Sequence, residues 1–148
     1  MAYEYTIVRE VEWHHTDMAG IAHFSNFFHY MEAAEHGFFR SLGLSIHTTD
    51  PEPLGWPRVH AECDFRYPLQ FEDSVEVRLL VREKRPKSLV YTFIFRKLNG
   101  DAPREVARGT LAVACVKRDS ATGKLTAMPI PQAIADKIEV APPEAFGK

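Results

Sequence analysis

Residues 13–26 read Trp-His-His-Thr-Asp-Met-Ala-Gly-Ile-Ala-His-Phe-Ser-Asn, and the rest of the chain is organised around them. The β-forming residues before Trp13 predict a strand, and Gly20 permits a sharp turn in the loop that carries Asp17. We expect Ser25 or Asn26 to cap a long helix that begins here. Asp17 then lies close to free backbone N–H groups and to the positive end of the helix dipole. Such a helix start holds an anion or a developing oxyanion.

The predicted helix runs from Asn26 to about Leu42 and is amphipathic. Gly43 is a typical C-terminal stop, and Arg40 suits the negative end of the dipole. An apolar face this rich in aromatic residues predicts a helix that is buried against a sheet. The apolar face consists of Phe27, Phe28, Met31, Ala34, Phe38 and Leu42, and the opposite side carries His29, Glu32, His36 and Arg40.

Alternation of apolar and polar residues predicts strands on both sides of this helix. One strand, one helix and four strands in succession predict an α+β fold with a largely antiparallel sheet. In the strand at 58–67 we expect a buried face formed by Val59, Ala61, Cys63, Phe65 and Tyr67. The other strands are predicted at 5–13, 74–83, 88–97 and 105–117, the last apolar on both faces as in a central strand. The inward residues expected for the strands at 74–83 and 88–97 are Val75, Val77, Leu79, Val81, Leu89, Tyr91, Phe93 and Phe95.

The remaining segments are predicted to be irregular or short. Residues 47–57 are rich in proline and are expected to form a loop. Residues 124–128 are expected to pair briefly and residues 131–138 to form one or two helical turns, whereas the tail at 141–144 is expected to fray.

Composition narrows the class of protein. The 148 residues suit one domain spanning 1–148, with a core at about 5–138. The formal net charge of −2 gives no global attraction to nucleic acid or to an anionic membrane. No run approaches the roughly 18 apolar residues of a membrane span, and the N-terminus lacks a signal peptide, so we expect a cytoplasmic protein. Cys63 and Cys115 lie in apolar strand patterns and are expected to be reduced core thiols.

Several motifs follow one another in a recognisable order. Residues 16–22 read Thr-Asp-Met-Ala-Gly-Ile-Ala, the aromatic-rich helix follows, and further motifs lie at 64–68, 72–77, 87–91 and 113–116. This set resembles the 4-hydroxybenzoyl-CoA thioesterase family of small hotdog-fold acyl-CoA thioesterases. The resemblance implies a single hotdog domain whose long helix is wrapped by a five- or six-stranded antiparallel sheet. It also implies homodimers, often doubled to homotetramers, with active sites shared between subunits.

The resemblance assigns the catalytic carboxylate to Asp17, which acts on the thioester carbonyl either as a nucleophile or as a general base that positions water. The matching oxyanion donor is the backbone N–H of Phe24, and Gly20 lets the backbone approach the thioester closely. A lone aspartate before a helix is otherwise more often a cap or a turn former. Ser25 and Asn26 are better placed as caps, which favours the catalytic interpretation.

Two nearby histidines have open roles. Many relatives carry a second acidic residue two positions before the catalytic aspartate, where this chain has His15. An inward-pointing, protonated His15 would favour the charged form of Asp17, and the alternative is a surface or hydrogen-bonded loop histidine. His23 either touches the thioester or packs against the partner subunit. No metal site is predicted, because the helix stripe of His29, Glu32 and His36 lacks a typical ligand pattern.

The predicted substrate-binding residues lie in two places. In the family, the turn that corresponds to Arg85, Lys87 and Ser88 grips the nucleotide end of CoA, whose phosphates need charge-assisted hydrogen bonds. Relatives are more basic in this turn than this chain is at Pro86, so a weaker hold on CoA is expected here. Asn26 and Phe27, at the helix start, are expected to contact the substrate, although Phe27 serves equally well as core. Arg58 and His60 are expected at a subunit contact or along the acyl tunnel.

The predicted reaction is hydrolysis of an acyl-CoA thioester to the free acid and CoA. No metal or redox cofactor is implied, since CoA enters only as part of the substrate. Two alternatives stay open at this point, namely an acyl-carrier-protein thioesterase and a non-catalytic module that binds acyl thioesters. The sequence leaves the acyl group open.

Overall fold

The computed structural model describes residues 1–49 and 53–147. Among these residues, no helix is both long and apolar enough to cross a membrane. Short 3-10 helices lie at Trp13–His15 and Pro143–Gly147. The regular elements are β1 (Glu4–Glu10), α1 (Ser25–Ser41), β2 (Leu54–Gly55), β3 (Arg58–Phe65), β4 (Ser74–Lys84), β5 (Ser88–Lys97), β6 (Arg104–Ala114), β7 (Val116–Arg118), β8 (Leu125–Ala127) and α2 (Gln132–Ala135).

The main sheet has five antiparallel strands in the order β1-β4-β5-β6-β3. Its inner face is apolar and packs against α1, because every second residue of β4 and β5 points to that side. The inward residues predicted for these strands are all fully buried, namely Val75, Val77, Leu79, Val81, Leu89, Tyr91, Phe93 and Phe95. The predicted α+β hotdog fold, a long helix wrapped by an antiparallel sheet, is therefore confirmed.

The helix approaches the sheet closely at glycines. A Cβ atom at Gly109 of β6 would collide with the Met31 side chain of α1 and would lie 2.9 Å from the carbonyl oxygen of Glu62. A Cβ at Gly37 would lie 2.5 Å from the Tyr5 ring. The absence of a side chain at both positions brings α1 onto the sheet.

The ends of α1 are close to those predicted. Gly43 adopts φ +77°, its N–H donates to Arg40 O at 3.0 Å, and the Leu44 N–H donates to Phe39 O at 2.9 Å. This pair of bonds is a Schellman motif, which confirms the predicted stop. The buried face is wider than predicted, since it also includes Tyr30, Glu35 and Phe39, whereas Phe28 and Leu42 are only half-buried.

The strand predicted at 105–117 is split in two, so its predicted end is wrong. β6 ends at Ala114, and β7 leaves the main sheet to pair with β2 and β8. The break lies at Cys115, whose N–H donates to Lys87 O at 2.8 Å while its carbonyl accepts from the Met128 N–H at 3.0 Å. The pairing predicted at 124–128 is confirmed as β8. Cys115 is buried, as predicted for a core thiol, whereas Cys63 is only half-buried.

The segment predicted as a loop at 47–57 contains the short strand β2, and residues 50–52 of that prediction lie outside the described residues. Farther along, α2 confirms the helical turns predicted at 131–138. The prediction of a frayed tail is wrong, because Ala141 is buried and its N–H donates to Val81 O at 2.8 Å. This segment covers the outer face of β4 and β5, where Leu80 and Ile94 are buried.

β3 forms one edge of the main sheet. The prediction that one face of this strand is buried is wrong for a single chain. Val59 is 64% exposed and Phe65 48%, because β3 has a neighbour strand on one side only. A bulge also shifts the pairing between Arg58 and His60. The extra residue places Arg58 opposite the inward-facing Val113, so that Arg58 points toward α1 instead of to the outer face.

Candidate active site

The loop that carries Asp17 is a tight, hydrogen-bonded turn. Thr16 and Ala22 form an antiparallel bridge, and the Asp17 N–H donates to Ile21 O at 3.1 Å. Gly20 has φ +81°, and its N–H donates to Asp17 O at 2.9 Å. Nothing lies within 4 Å of a Cβ built at Gly20, so within one chain the glycine is required by its backbone angle and not by crowding.

The Asp17 carboxylate is exposed and half-engaged. Its Oδ1 accepts a hydrogen bond from the Ala19 N–H at 2.8 Å, which is the geometry of an Asx turn. Within residues 1–49 and 53–147 the second oxygen, Oδ2, has no hydrogen-bond partner. The turn-forming role of this aspartate is therefore real, and it leaves one carboxylate oxygen available.

The first turn of α1 presents an unused backbone donor beside this loop. Phe24 precedes the helix with φ −56° and ψ −29°, and its ring is 59% exposed. In the described part of the chain, nothing accepts a hydrogen bond from the Phe24 N–H. This N–H is one of the four donors that a helix start leaves without an intrahelical partner.

Asp17 and Phe24 line the same cavity, which has a volume of about 440 Å³. Its other walls come from Ile21, Ala22 and Phe27 and from the segment 65–69, which begins with the last residue of β3. The Ala22 N–H donates to Leu69 O at 2.7 Å and holds the loop against that segment. Sequence reasoning noted the motif at 64–68 but gave these residues no role in the site.

Phe27 belongs to the core and to the cavity wall at once. It is 3% exposed, and its ring packs edge-on against Phe65 and Phe95 with centroid distances of 5.0 and 5.2 Å. The structure thus places Phe27 in the cavity, where it was predicted to contact substrate.

The predicted helix cap is wrong. Ser25 and Asn26 lie inside the first turn of α1, and the residue before them makes no side-chain cap. Their side chains point back to the loop instead. Ser25 Oγ lies 2.8 Å from His23 Nδ1, and the Asn26 amide donates to His15 O at 2.8 Å.

His15 is a hydrogen-bonded loop histidine, the second of its two predicted roles. Its Nδ1 accepts from the Glu12 N–H at 2.9 Å and lies 3.0 Å from the Tyr30 hydroxyl. Burial, with a smaller contribution from His14, lowers the pKa of His15 below its ordinary value.

His23 lies beside Phe24. Its N–H donates to His15 O at 2.8 Å, and its exposed ring packs on the Phe24 ring with a centroid distance of 4.6 Å. Both predicted contacts, with a thioester and with a partner subunit, fit this exposed position.

The basic turn lies far from Asp17 in the same chain. Arg85 pairs with Glu83 at 2.6 Å, and its N–H donates to Ser88 O at 2.9 Å. This turn joins β4 to β5 at the end of the sheet opposite to the Asp17 loop. On the flank of that loop, the Val11 N–H donates to the carbonyl oxygen of Asp73, the residue before β4. Ten strand residues at about 3.3 Å each separate the two ends by roughly 30 Å.

Three potential metal ligands lie together next to the loop. Across the described residues, the group that offers ligand atoms within 4.8 Å of one another is Glu12, His14 and His15. The His15 ring is a poor ligand here. Because its Nδ1 accepts the Glu12 N–H, the neutral ring carries its proton on Nε2. Among the same described residues, His29 and His36 belong to no such group.

A buried ion pair lies beneath the middle of α1, and sequence reasoning missed it. Glu35 is fully buried, and Arg58 Nη2 donates to its Oε1 at 2.6 Å. Burial raises the pKa of Glu35, and Arg58 opposes the shift. The position of Glu35 on the apolar face, four residues after Met31 and three before Phe38, was a signal for such a partner.

A family model described as Thioesterase-like superfamily matches residues 11–138. The chain belongs to this superfamily. The membership confirms the resemblance stated from the motifs, and with it the predicted class of thioester hydrolase.

Three individual relatives are similar to this superfamily member. An Aquifex aeolicus (strain VF5) protein named "Putative esterase" is 33% identical over 89 residues, which cover 60% of this chain and 70% of the relative. A solved gentisyl-coenzyme A thioesterase is 30% identical with a TM-score of 0.76, covering 88% of this chain and 98% of its own. The 4-hydroxybenzoyl-CoA thioesterase of Pseudomonas sp. strain CBS-3 is 20% identical with a TM-score of 0.79, covering 92% and 99%, and shares the fold.

The structure of this superfamily member divides the predicted site residues into two groups. Asp17, Gly20, His23, Phe24 and Phe27 lie together at the cavity and its loop, and Asn26 and His15 tie that loop to the helix. The second group, Arg85, Lys87 and Ser88, lies at the other end of the sheet.

Proposed function

We propose that this chain hydrolyses an acyl-CoA thioester to the free acid and CoA. The observation that carries the proposal is that a carboxylate with one free oxygen and a backbone N–H without an acceptor, both among the described residues, line one apolar cavity. Asp17 supplies the carboxylate and Phe24 the N–H. This pair suits a carbonyl that gains negative charge during the reaction.

In one route, Asp17 Oδ2 attacks the thioester carbon, and the resulting oxyanion is stabilised by the Phe24 N–H. The C–S bond then breaks, CoA leaves as the thiolate, and water hydrolyses the acyl-aspartate anhydride. In the other route, Asp17 takes a proton from a water molecule that attacks the same carbon, and the leaving thiolate receives a proton. The Ala19 N–H orients the carboxylate in both routes. One oxyanion donor contributes about 3–4 kcal/mol of transition-state stabilisation.

We propose that the active site is completed by a second copy of the chain. β3 offers an unpaired strand edge, and Val59, Phe65 and Tyr67 along and after it are about half exposed in one chain. Two copies that pair these edges antiparallel about a two-fold axis would place the Arg85–Ser88 turn of one near the Asp17 loop of the other. The roughly 30 Å separation within one chain is thereby removed. Two such dimers would form the expected tetramer.

The proposed role of that turn is to bind the CoA phosphates. Arg85 and Lys87 are exposed, and Arg85 pairs with the neighbouring Glu83 on the strand surface. An exposed ion pair of this kind contributes little and exchanges readily for a phosphate. No resident metal or redox cofactor has a step in this reaction, and a cytoplasmic location stays a prediction.

We infer that the acyl group is aromatic. The cavity wall contains Phe24, Phe27, Phe65 and Tyr67. Rings prefer edge-on or offset contacts with other rings, which a benzoyl-type acyl group would satisfy. The relative at 30% identity is named for gentisyl-coenzyme A, an aromatic thioester.

The test replaces Asp17 by Asn in the full chain. Release of free thiol is measured with benzoyl-type, short-chain and long-chain CoA esters. We expect turnover to fall about a hundred- to ten-thousandfold, with an unchanged melting temperature and retained binding of the ester, because the amide neither attacks nor accepts a proton. Asp101→Asn is the matched control, since Asp101 is also exposed in a loop but lies outside the cavity.

The same assay separates the alternatives. Unchanged hydrolysis in Asp17→Asn would contradict the proposed mechanism. Faster hydrolysis of acyl-carrier-protein esters than of CoA esters would indicate the carrier-protein thioesterase. Tight binding of esters by the unmodified chain without thiol release would indicate the binding module.

A further inference from the structure

The geometry points to Asn26 and Tyr30 as positioning residues for Asp17. Neither side chain lines the cavity, yet both bind to His15, two residues before Asp17. They connect the loop that carries the carboxylate to the helix whose start presents the Phe24 N–H. The inference rests on the proposed function, since it concerns how the carboxylate and the donor keep their spacing.

The first connection is made through the backbone of His15. Its carbonyl oxygen accepts two hydrogen bonds of 2.8 Å, one from the Asn26 side-chain amide and one from the His23 N–H. The two donors flank Phe24 in sequence. The His15 carbonyl oxygen is therefore bound by one residue before Phe24 and by one residue after it.

The second connection is made through the ring of His15. Burial raises the pKa of Tyr30 to about 12, so its hydroxyl keeps its proton and donates. His15 Nδ1 is an acceptor because it also receives the Glu12 N–H. The Tyr30 O–H therefore donates to Nδ1 across 3.0 Å, and Tyr30 itself is 3% exposed and held in the core.

Asn26 and Tyr30 are four residues apart, so both side chains project from the same face of α1. Asn26 binds the backbone of His15 and Tyr30 binds its ring. Thr16, the residue after His15, pairs with Ala22 and so closes the turn that contains Asp17. Fixing His15 therefore also fixes the Asp17 turn. Loss of either hydrogen bond would let the loop shift relative to Phe24 without removing any group that touches the substrate.

Such a shift has a distinctive kinetic signature. A misplacement of about 1 Å at a reacting group lowers the rate roughly a hundredfold, whereas binding of the distant parts of the substrate is unaffected. We therefore expect kcat to fall about ten- to a hundredfold in Tyr30→Phe and in Asn26→Ala, with KM within about twofold.

Two matched controls remove similar groups elsewhere. Tyr5→Phe deletes a phenol hydroxyl from a half-buried tyrosine that lines no part of the cavity. Asn99→Ala deletes an amide that bonds Ser74 N–H and Asp73 Oδ1 at 2.8 and 2.9 Å at a different loop. Both controls should keep kcat. A KM increase without a change in kcat in Asn26→Ala would overturn the inference, because Asn26 would then contact substrate directly. Unchanged kcat in both test variants would overturn it as well.

A readout that needs no turnover separates this inference from the proposed function. Amide hydrogen exchange at Asp17 and His23 should become faster in Tyr30→Phe and Asn26→Ala, and remain unchanged in the two controls. The ¹⁵N signals of the His15 ring should shift in Tyr30→Phe. If the unmodified chain releases no thiol, the proposed function fails, and exchange alone then decides the connection. Unchanged exchange in both variants would refute it.

Discussion

Arg58 on the edge strand donates to both carboxylate oxygens of Glu35, at 2.6 Å to Oε1 and 3.4 Å to Oε2. Glu35 belongs to α1 and is fully buried. The same guanidinium donates to Trp56 O at 2.9 Å and to the exposed Glu32 at 3.2 Å. Tyr91 lies buried next to the carboxylate, and burial raises its pKa well above the ordinary value. A charged group of β3 is thus fixed to the central helix.

This pair predicts a pH-dependent stability for Arg58→Leu. Burial already raises the pKa of Glu35, and loss of the arginine that opposes it raises the pKa further. The folded state then binds a proton more tightly than the unfolded state, so stability is kept at low pH and lost as pH rises through the folded-state pKa. We expect a loss of about 3 kcal/mol at pH 8 and a clearly smaller loss at pH 5, measured by urea unfolding.

The control is the double variant Arg58→Leu with Glu35→Gln. Without an ionisable group at position 35, this variant should be more stable than Arg58→Leu at pH 8 and should lose the extra pH dependence. Glu32→Gln should have little effect, because Glu32 is an exposed partner. An equal loss at both pH values in Arg58→Leu would contradict the prediction.

Sequence patterns were sufficient for the inward faces of β4 and β5 and for the stop at Gly43, because each follows from local periodicity or from a single backbone angle. Sequence patterns could not predict the bulge at the start of β3. Whether Arg58 faces α1 depends on its pairing with Val113, and a two-residue alternation contains no information about an inserted residue. The Arg58–Glu35 pair was hidden for the same reason.

At the candidate site, the sequence placed the loop and its glycine correctly, but not the partners of Ser25 and Asn26. Capping preference describes isolated helix ends, and here the loop returns close enough to take both side chains. The exposed face of β3 was mistaken for core because a pattern cannot tell whether the same chain or another covers an apolar face.

Gly109→Ala should destabilise the fold by about 2 kcal/mol. The new methyl group meets the Met31 side chain, which can move, and the Glu62 carbonyl at 2.9 Å, which is fixed by strand pairing. Urea unfolding measures the change. Gly147→Ala is the control, because nothing lies within 4 Å of the place that its new methyl group would occupy. Identical midpoints for the two variants would contradict close packing of α1 on β6.

His15 should make stability rise with pH in the acidic range. Its folded-state pKa is lowered by burial, so below its ordinary value of 6.5 the unfolded chain binds more protons than the folded chain. Unfolding free energy should therefore decrease as pH falls from 7 through that lowered pKa. In His15→Gln this part of the slope should disappear. A slope that is unchanged in the variant would contradict this prediction.

Phe24→Pro tests the backbone donor. Phe24 has φ −56°, which a proline ring accepts, so the substitution removes the N–H with little change of backbone. We expect kcat to fall about a hundred- to a thousandfold. Phe24→Ala removes the same ring and keeps the N–H, so the difference between the two variants measures the donor. Equal kcat values in thiol-release assays would argue against a role for this N–H.

The proposed sharing of active sites predicts that two inactive chains restore activity together. One chain carries Asp17→Asn, and the other carries Arg85→Glu with Lys87→Glu. In a mixed dimer, one site has both defects, while the other combines an intact Asp17 with an intact turn from its partner. Co-expression should therefore give about a quarter of the unmodified activity, since half of the dimers are mixed and each has one good site. If each site were built from one chain, every site would keep a defect, and the mixture would show only the mean of the two separate activities.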